Sequence, residues 1–168
     1  EFDKAMAIAD RLAQKQPKSP LPPTIQGGIL GAKGDRKGAR ASFEKALALQ
    51  PDYLPAARNL ARLDIADKQP DAARKRYESI VATDPKNDQA LLGLADVLAA
   101  TGAPVADVIA VVDRAVTANP TAVRARLAAI NLRLQSKDPK GALAAAQSAS
   151  AAIPENVQIV EALGRAQL

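Results

Sequence analysis

Cysteine, histidine and tryptophan are all absent from this chain of 168 residues. Without cysteine and histidine the chain lacks the usual zinc ligands, the thiol nucleophile and the imidazole general base. The carboxylates that remain are dispersed at positions typical of helix caps and turns, so they form no catalytic constellation. The sequence therefore predicts no enzymatic activity, no catalytic residue, no metal site and no cofactor.

Long uncharged apolar runs and aromatic side chains are also scarce. Asp96, Asp107 and Asp113 interrupt the most hydrophobic region, so no run reaches the length of about 18 residues that indicates a membrane span. We therefore expect a soluble chain with no transmembrane segment. Aromatic residues make up 2% of the sequence, whereas a nucleic-acid surface interleaves aromatic with basic side chains. Nucleic acid is not a predicted partner.

Alanine is abundant, at 38 residues, and proline recurs at a regular spacing. Pro17, Pro51, Pro85, Pro120 and Pro154 lie 34, 34, 35 and 34 residues apart. Each proline closes an alanine-rich stretch whose apolar residues have helical spacing. A period of this length indicates stacked helix pairs. The sequence thus predicts an all-α solenoid of antiparallel helix hairpins, with about ten helices.

The turns within the hairpins are marked by residues that end one helix and begin the next. They lie at Gly34-Asp35, Pro70-Asp71, Gly102-Ala103-Pro104 and Asp138-Pro139. We predict first helices at Pro23–Lys33, Leu54–Asp67, Asp88–Thr101 and Thr121–Gln135. Second helices are predicted at Arg36–Leu49, Asp71–Thr83, Val105–Ala118 and Lys140–Ala152. Lone helices are predicted at Phe2–Lys15 and Glu155–Gln167.

These bounds predict one array over residues 1–168. A second helix of a truncated repeat (1–17) opens it, and a first helix of another (155–168) closes it. The four complete repeats are 18–51, 52–85, 86–120 and 121–154. Much of the last helix is apolar, so we expect either further repeats beyond it or self-association of two copies through the terminal helices.

Small and bulky residues alternate at matching positions of the repeats. The first complete repeat has Gly27, Ala39, Phe43 and Ala46, and the second has Ala61, Ala73, Tyr77 and Ile80. The third has an extra residue and places Val108, Val112 and Ala115 there, whereas the fourth has Leu127, Ile130, Leu134, Ala142, Ala146 and Ala149. With the phased prolines, this pattern resembles the tetratricopeptide repeat family. That resemblance implies a right-handed superhelix and a scaffold that binds proteins or extended peptides.

In the family that the sequence resembles, the first helices line a concave groove. Transferring the inward repeat positions to this sequence gives the following set: Leu21, Thr24, Gly28, Gly31, Pro55, Arg58, Asn59, Arg62, Ile65, Gln89, Leu92, Asp96, Ala99, Ala125, Ala128 and Leu132. Two interpretations of Gly28 and Gly31 stay open. They either are neutral or give a ligand backbone a smooth surface to approach.

Arg58 and Arg62 are a notable pair because residues four apart project from one helix face. With Asn59 they form a candidate site for a carboxylate or an acidic peptide, through charge-assisted hydrogen bonds. The alternative is that they pair within the chain, with Asp64 or Asp96. Asn59 also suits a structural hydrogen bond.

A net charge of +5 is concentrated in the first half of the chain. Residues 1–86 contain 16 Lys and Arg against 11 Asp and Glu. This surplus either covers solvated helix faces or forms a basic patch for an acidic partner or polysaccharide. A third hypothesis is a structural spacer whose groove binds nothing specific.

Two stretches carry a narrower resemblance: NLARLDIADKQPDAARKRYESIVATDPKNDQALLGLADVL and ALGRAQL. They look like the repeat lipoproteins that accompany PEP-CTERM protein sorting and exopolysaccharide loci in Gram-negative bacteria. The resemblance implies a lipid anchor upstream of residue 1 and a scaffold role in an envelope assembly, in the periplasm or at an envelope membrane.

Overall fold

A computed structural model describes residues 1–167, and over these residues it contains ten α-helices and no strand. In chain order they are α1 (Phe2–Lys15), α2 (Leu21–Ala32), α3 (Arg36–Leu49), α4 (Leu54–Ala66), α5 (Pro70–Thr83), α6 (Asp88–Ala100), α7 (Val105–Ala118), α8 (Val123–Gln135), α9 (Pro139–Ala152) and α10 (Val157–Ala166). The predicted all-α fold is confirmed, and each predicted helix end lies within two residues of the observed one. Within residues 1–167, no helix is both long and apolar enough to cross a membrane.

The chain divides into two compact units in the connection between α5 and α6. The first unit, Glu1–Thr83, contains α1 to α5, and the second begins at Asp84 and contains α6 to α10. One hydrophobic cluster of the first unit consists of Ala39, Phe43, Ala46, Ala56 and Leu60. One cluster of the second consists of Ile130, Ala142, Ala146, Ala149, Ile159, Ala162 and Ala166.

Each helix has 10 to 14 residues, which is too short for stability in water without tertiary packing. Small side chains let neighbouring helices approach closely, and Ala39, Ala73 and Ala142 are completely buried. Larger side chains fill the remaining space, as Phe43 and Tyr77 do at 4% and 5% exposure. The packing positions deduced from the repeat pattern are thus confirmed as buried or half-buried.

The four complete hairpins turn through residues with positive φ. Two are glycines, Gly34 at 87° and Gly102 at 73°, but the equivalent residues Lys68 and Lys137 both have φ of 59°. In each turn the next residue donates its N–H to a carbonyl five residues earlier: Asp35 to Leu30, Gln69 to Asp64, Ala103 to Leu98 and Asp138 to Arg133. A left-handed lysine costs roughly 1 kcal/mol relative to glycine. The closing hydrogen bond, rather than glycine, is therefore the feature common to the turns.

Adjacent glycines in α2 have opposite environments. Gly27 is buried, and a Cβ atom there would lie 2.6 Å from Cε1 of Phe43. Gly28 is exposed, and a Cβ atom there would have no neighbour within 4 Å. Close packing against Phe43 therefore explains Gly27, whereas packing does not require glycine at position 28. The hypothesis that Gly28 gives a ligand room to approach stays a prediction.

We expect opposite effects on stability from alanine at these two positions. Gly28→Ala should stabilise the protein by roughly 0.5–1 kcal/mol because alanine has the higher helix propensity. Gly27→Ala should destabilise it by about 1–3 kcal/mol because the Phe43 ring must move. Urea denaturation of both variants measures the difference. Equal effects would contradict the assigned packing of α2 on α3.

Candidate functional site

The exposed face of α4 carries the arginine pair identified in the sequence. Ala57, Leu60 and Ala61 are buried on one side of this helix, and Arg58 and Arg62 are exposed on the other. Ile65 continues the exposed stripe and is 38% exposed. We call Arg58, Arg62 and Ile65 the α4 face.

Neither arginine of the α4 face forms a hydrogen bond or an ion pair within residues 1–167. Asp64, one proposed partner, is fully buried and instead binds Arg40 and Arg76. The other proposed partner, Asp96, pairs with Arg124 at 2.5 Å. The alternative that Arg58 or Arg62 pairs with Asp64 or Asp96 is therefore wrong, because both carboxylates have other partners.

A charge network in the first unit explains why Asp64 is not available to Arg58 or Arg62. Asp64 accepts hydrogen bonds from Arg40 Nη1 at 2.6 Å and from Arg76 Nε at 2.5 Å. Asp67, which directly follows the last residue of α4, accepts from Arg36 at 2.6 Å and from Arg40 at 2.8 Å. Burial alone raises the pKa of Asp64, but the hydrogen bonds from Arg76 and Arg40 outweigh it and lower the pKa below its usual value. The two carboxylates thus bind Arg36, Arg40 and Arg76, and Arg58 and Arg62 take no part in this network.

Two other groove residues predicted in the first unit, Thr24 and Asn59, make local hydrogen bonds. The Thr24 hydroxyl is half-buried and donates to the Pro20 carbonyl oxygen at 2.8 Å. Asn59 Nδ2 donates to the Pro55 carbonyl oxygen at 2.8 Å, so it makes the structural hydrogen bond that we considered for it. Beside the arginines, Asn59 contributes little that is free to bind a ligand.

The predicted groove residues of the second unit differ in accessibility. Leu92 is 2% exposed and Ala125 is 0% exposed, so neither side chain is open to a ligand, contrary to the assignment from repeat positions. Gln89 is half-buried and donates to Asp88 at 3.2 Å. Two further residues are half-buried: Ala128 and Leu132.

Sequence reasoning missed Arg124, which is exposed and pairs with Asp96. The signal was present. Gln89 precedes Arg124 by 35 residues, which is also the spacing of Pro85 and Pro120, so Arg124 has the same repeat position as Gln89, whereas the predicted set contains Ala125. This ion pair neutralises the charge of Arg124, so Arg124 adds no unpaired basic group to the surface. Among residues 1–167, no three carboxylates are placed to hold a metal ion.

Two family models, both described as tetratricopeptide repeat, match residues 32–83 and 58–123. Together they cover residues 32–123, more than half of the chain. Residues 32–123 therefore contain tetratricopeptide repeats (TPR). No protein with a curated function is significantly similar to it in sequence.

Solved TPR structures share the fold of this chain. TTC0263 from Thermus thermophilus is 18% identical with a TM-score of 0.70, over 99% of this chain and 90% of its own. MamA (41-end) from Desulfovibrio magneticus RS-1 is 21% identical with a TM-score of 0.64, over 99% of this chain and 87% of its own. YrrB, described as a TPR protein with an unusual peptide-binding site, is 18% identical with a TM-score of 0.64, over 96% of this chain and 83% of its own. At these identities the likeness shows a TPR solenoid fold.

The buried Asp64 makes the stability of the protein depend on pH. Because its folded-state pKa is lowered, its contribution is complete above about pH 4 and is lost as the pH falls further. Asp64→Asn should cost about 3 kcal/mol at pH 7, near the lower end for a broken buried ion pair, because Arg40 and Arg76 are 25% and 23% exposed. Urea denaturation at pH 7 and pH 3 measures this cost.

The control is Glu44→Gln, since Glu44 is exposed on α3. We expect the difference between wild type and Asp64→Asn to shrink at pH 3, while Glu44→Gln stays close to wild type at both values. A cost for Asp64→Asn that is the same at both pH values would contradict the ion-pair explanation.

Proposed function

We propose that this TPR chain is a non-catalytic scaffold that binds an extended, acidic segment of a partner protein on the α4 face. The observation that carries the proposal is the pair of exposed, unpaired arginines, Arg58 and Arg62. Every guanidinium offers five donors in a planar fork that suits a carboxylate. The neighbouring carboxylates, Asp64 and Asp67, are already bound by other arginines.

The spacing of the two arginines favours alternating acidic residues in the ligand. Residues four apart in a helix are separated by about 6 Å along its axis. Alternate residues of an extended chain lie on the same side at a spacing of about 6.8 Å. A segment that runs along α4 can therefore place one carboxylate at Arg58 and the next at Arg62. The exposed Ile65, one turn further, suits an apolar residue after them.

Two further observations support an acidic peptide as the ligand. The surplus of basic residues lies in residues 1–86, which attracts acidic partners over a distance. YrrB, which shares this fold, is described as having a peptide-binding site. The basic surplus also suits an acidic polysaccharide, so the test includes one.

The proposal predicts loss of acidic-peptide binding when the charge of the α4 face is reversed from positive to negative. A fluorescein-labelled peptide of alternating glutamate and valine should bind wild type in a salt-dependent manner. Arg58→Glu with Arg62→Glu should weaken binding by at least roughly tenfold, because two charge-assisted contacts become repulsive. Fluorescence anisotropy measures both affinities.

The matched control is Arg11→Glu with Lys15→Glu, which makes the same charge change at two exposed residues four apart on α1. It should bind the peptide nearly as wild type does. An equal loss of peptide affinity in both double variants would show that net charge alone causes it, and this would contradict the α4 face as the site. Binding of alginate but not of the peptide would favour the polysaccharide hypothesis, and binding of neither would favour the spacer.

The proposed cellular setting is a bacterial envelope assembly for exopolysaccharide export or PEP-CTERM protein sorting. Its support is the sequence resemblance of residues 59–98 and 162–168 to the lipoproteins of those loci. Fractionation of the source bacterium, followed by immunoblotting for this protein, tests the setting. We expect recovery with envelope membranes or periplasm, and recovery in the cytoplasm alone would contradict it. That result would leave the α4 face proposal intact.

A further inference from the structure

A second polar surface lies in the second unit, away from the residues that the repeat pattern selects. It is a solvent-open cavity of about 400 Å³ bounded by α7, α8 and α9. Its polar lining consists of Asp113, Thr117, Arg126, Arg133 and Ser148. The volume lies at the lower end of the range for small-molecule sites. We call this space the Arg126 cavity.

Arg126 is a buried cation without an ionic partner. It is 8% exposed, and no carboxylate within residues 1–167 pairs with it. Its Nε donates to the Pro120 carbonyl oxygen at 2.8 Å, and its Nη1 donates to Ser148 Oγ at 2.8 Å. Buried charges in proteins are normally paired, because desolvation without a counter-charge is costly. The chain supplies hydrogen-bond acceptors for this arginine but no negative charge.

Donors remain free at the wall of the cavity. Arg126 Nη2 forms no hydrogen bond within residues 1–167, and every fully buried side-chain nitrogen or oxygen there has a partner. Nη2 must therefore reach accessible space, and the cavity is the space that Arg126 lines. Ser148 Oγ accepts from Arg126 and donates no hydrogen bond within residues 1–167, so its own O–H is available to a ligand. Arg126 Nη2 and Ser148 Oγ are thus two available donors at one wall of the Arg126 cavity.

The remaining charges of the lining cancel. Arg133 Nη2 donates to Asp113 Oδ2 at 2.7 Å, and Arg133 Nη1 donates to the Ala129 carbonyl oxygen at 3.1 Å. The carboxylate in the lining is therefore neutralised, and the lining keeps the single positive charge of Arg126. Thr117 donates to the Asp113 carbonyl oxygen and does not compete for Arg126.

We propose that the Arg126 cavity binds the oxyanion group of a small ligand, a carboxylate or a phosphate. The ligand accepts hydrogen bonds from Arg126 Nη2 and Ser148 Oγ and supplies the charge that the buried guanidinium lacks. The proposal does not depend on the α4 face, because all of these residues belong to α7, α8, α9 and the α7–α8 connection. The cavity and the α4 face are thus two separate sites on the chain.

Nuclear magnetic resonance of the 168-residue chain tests the proposal. Sodium phosphate and sodium acetate are titrated separately against sodium chloride at matched ionic strength, and the Nε–H signal of Arg126 and the amide signal of Ser148 are followed. We expect saturable shifts with at least one oxyanion and none with chloride. Saturation by phosphate alone identifies a phosphate site, and saturation by acetate identifies a carboxylate site. Shifts that are not saturable, or that match those with chloride, would overturn the proposal.

Two variants locate the site. Arg126→Met keeps a similar side-chain volume and should weaken oxyanion binding by roughly tenfold or more, as expected for the loss of a charge-assisted hydrogen bond. The matched control is Arg124→Met on the same helix, whose side chain pairs with Asp96 and does not line the cavity. It should bind as wild type does. Equal affinity in wild type and Arg126→Met would overturn the assignment.

Ser148→Ala keeps the test decisive if Arg126→Met does not fold. Ser148 is exposed, and Arg126 keeps its hydrogen bond to the Pro120 carbonyl oxygen in this variant, so the chain should still fold although Arg126 Nη1 loses one acceptor. Removing its hydroxyl should weaken oxyanion binding several-fold, because one of the two proposed donors is lost. An unchanged dissociation constant in a folded Ser148→Ala variant, together with an Arg126→Met variant that does not fold, would overturn the proposed contacts.

Discussion

Close approach of short helices is the constraint on which the structure depends. Helices of 10 to 14 residues gain most of their stability from neighbours rather than from their own hydrogen bonds. Fully buried alanines such as Ala46, Ala115 and Ala149 let that approach occur, and Phe43 fills the space left over Gly27. Because the packing side chains are small and turned inward, the residues that distinguish one surface from another are charged ones on the exposed faces.

The charges of the first unit are divided between two roles. Asp64 and Asp67 hold Arg36, Arg40 and Arg76, which joins α3, α4 and α5 through one network. A buried carboxylate with two guanidinium partners fixes how these helices meet, since loss of Asp64 would leave Arg76 without its ionic partner. The same network makes Asp64 unavailable to the exposed arginines of α4. Because Asp64 and Asp67 already bind other arginines, Arg58 and Arg62 remain able to bind a ligand.

Sequence periodicity was sufficient for the helices but not for the pairing of side chains. The phased prolines and the helix-ending residues located all ten helices of residues 1–167 within two residues. They could not show that Lys68 and Lys137 would adopt positive φ, because a closing hydrogen bond outweighs the intrinsic preference of lysine. Nor could they show that Asp64 binds residues 24 and 12 positions away. In the fourth repeat the packing residues were placed in register, but the groove residues were placed one residue too late, and this hid Arg124.

The hydrogen bonds of Arg126 within the chain do not explain why a positively charged side chain is buried at this position. Through Nε and Nη1 it ties the Pro120 carbonyl to Ser148 on α9, which is a structural task. A neutral amide side chain also donates two hydrogen bonds, without the desolvation cost of a buried charge. The positive charge and the free Nη2 are therefore left over once the structural role is accounted for. An oxyanion in the cavity uses both, whereas a role confined to packing uses neither.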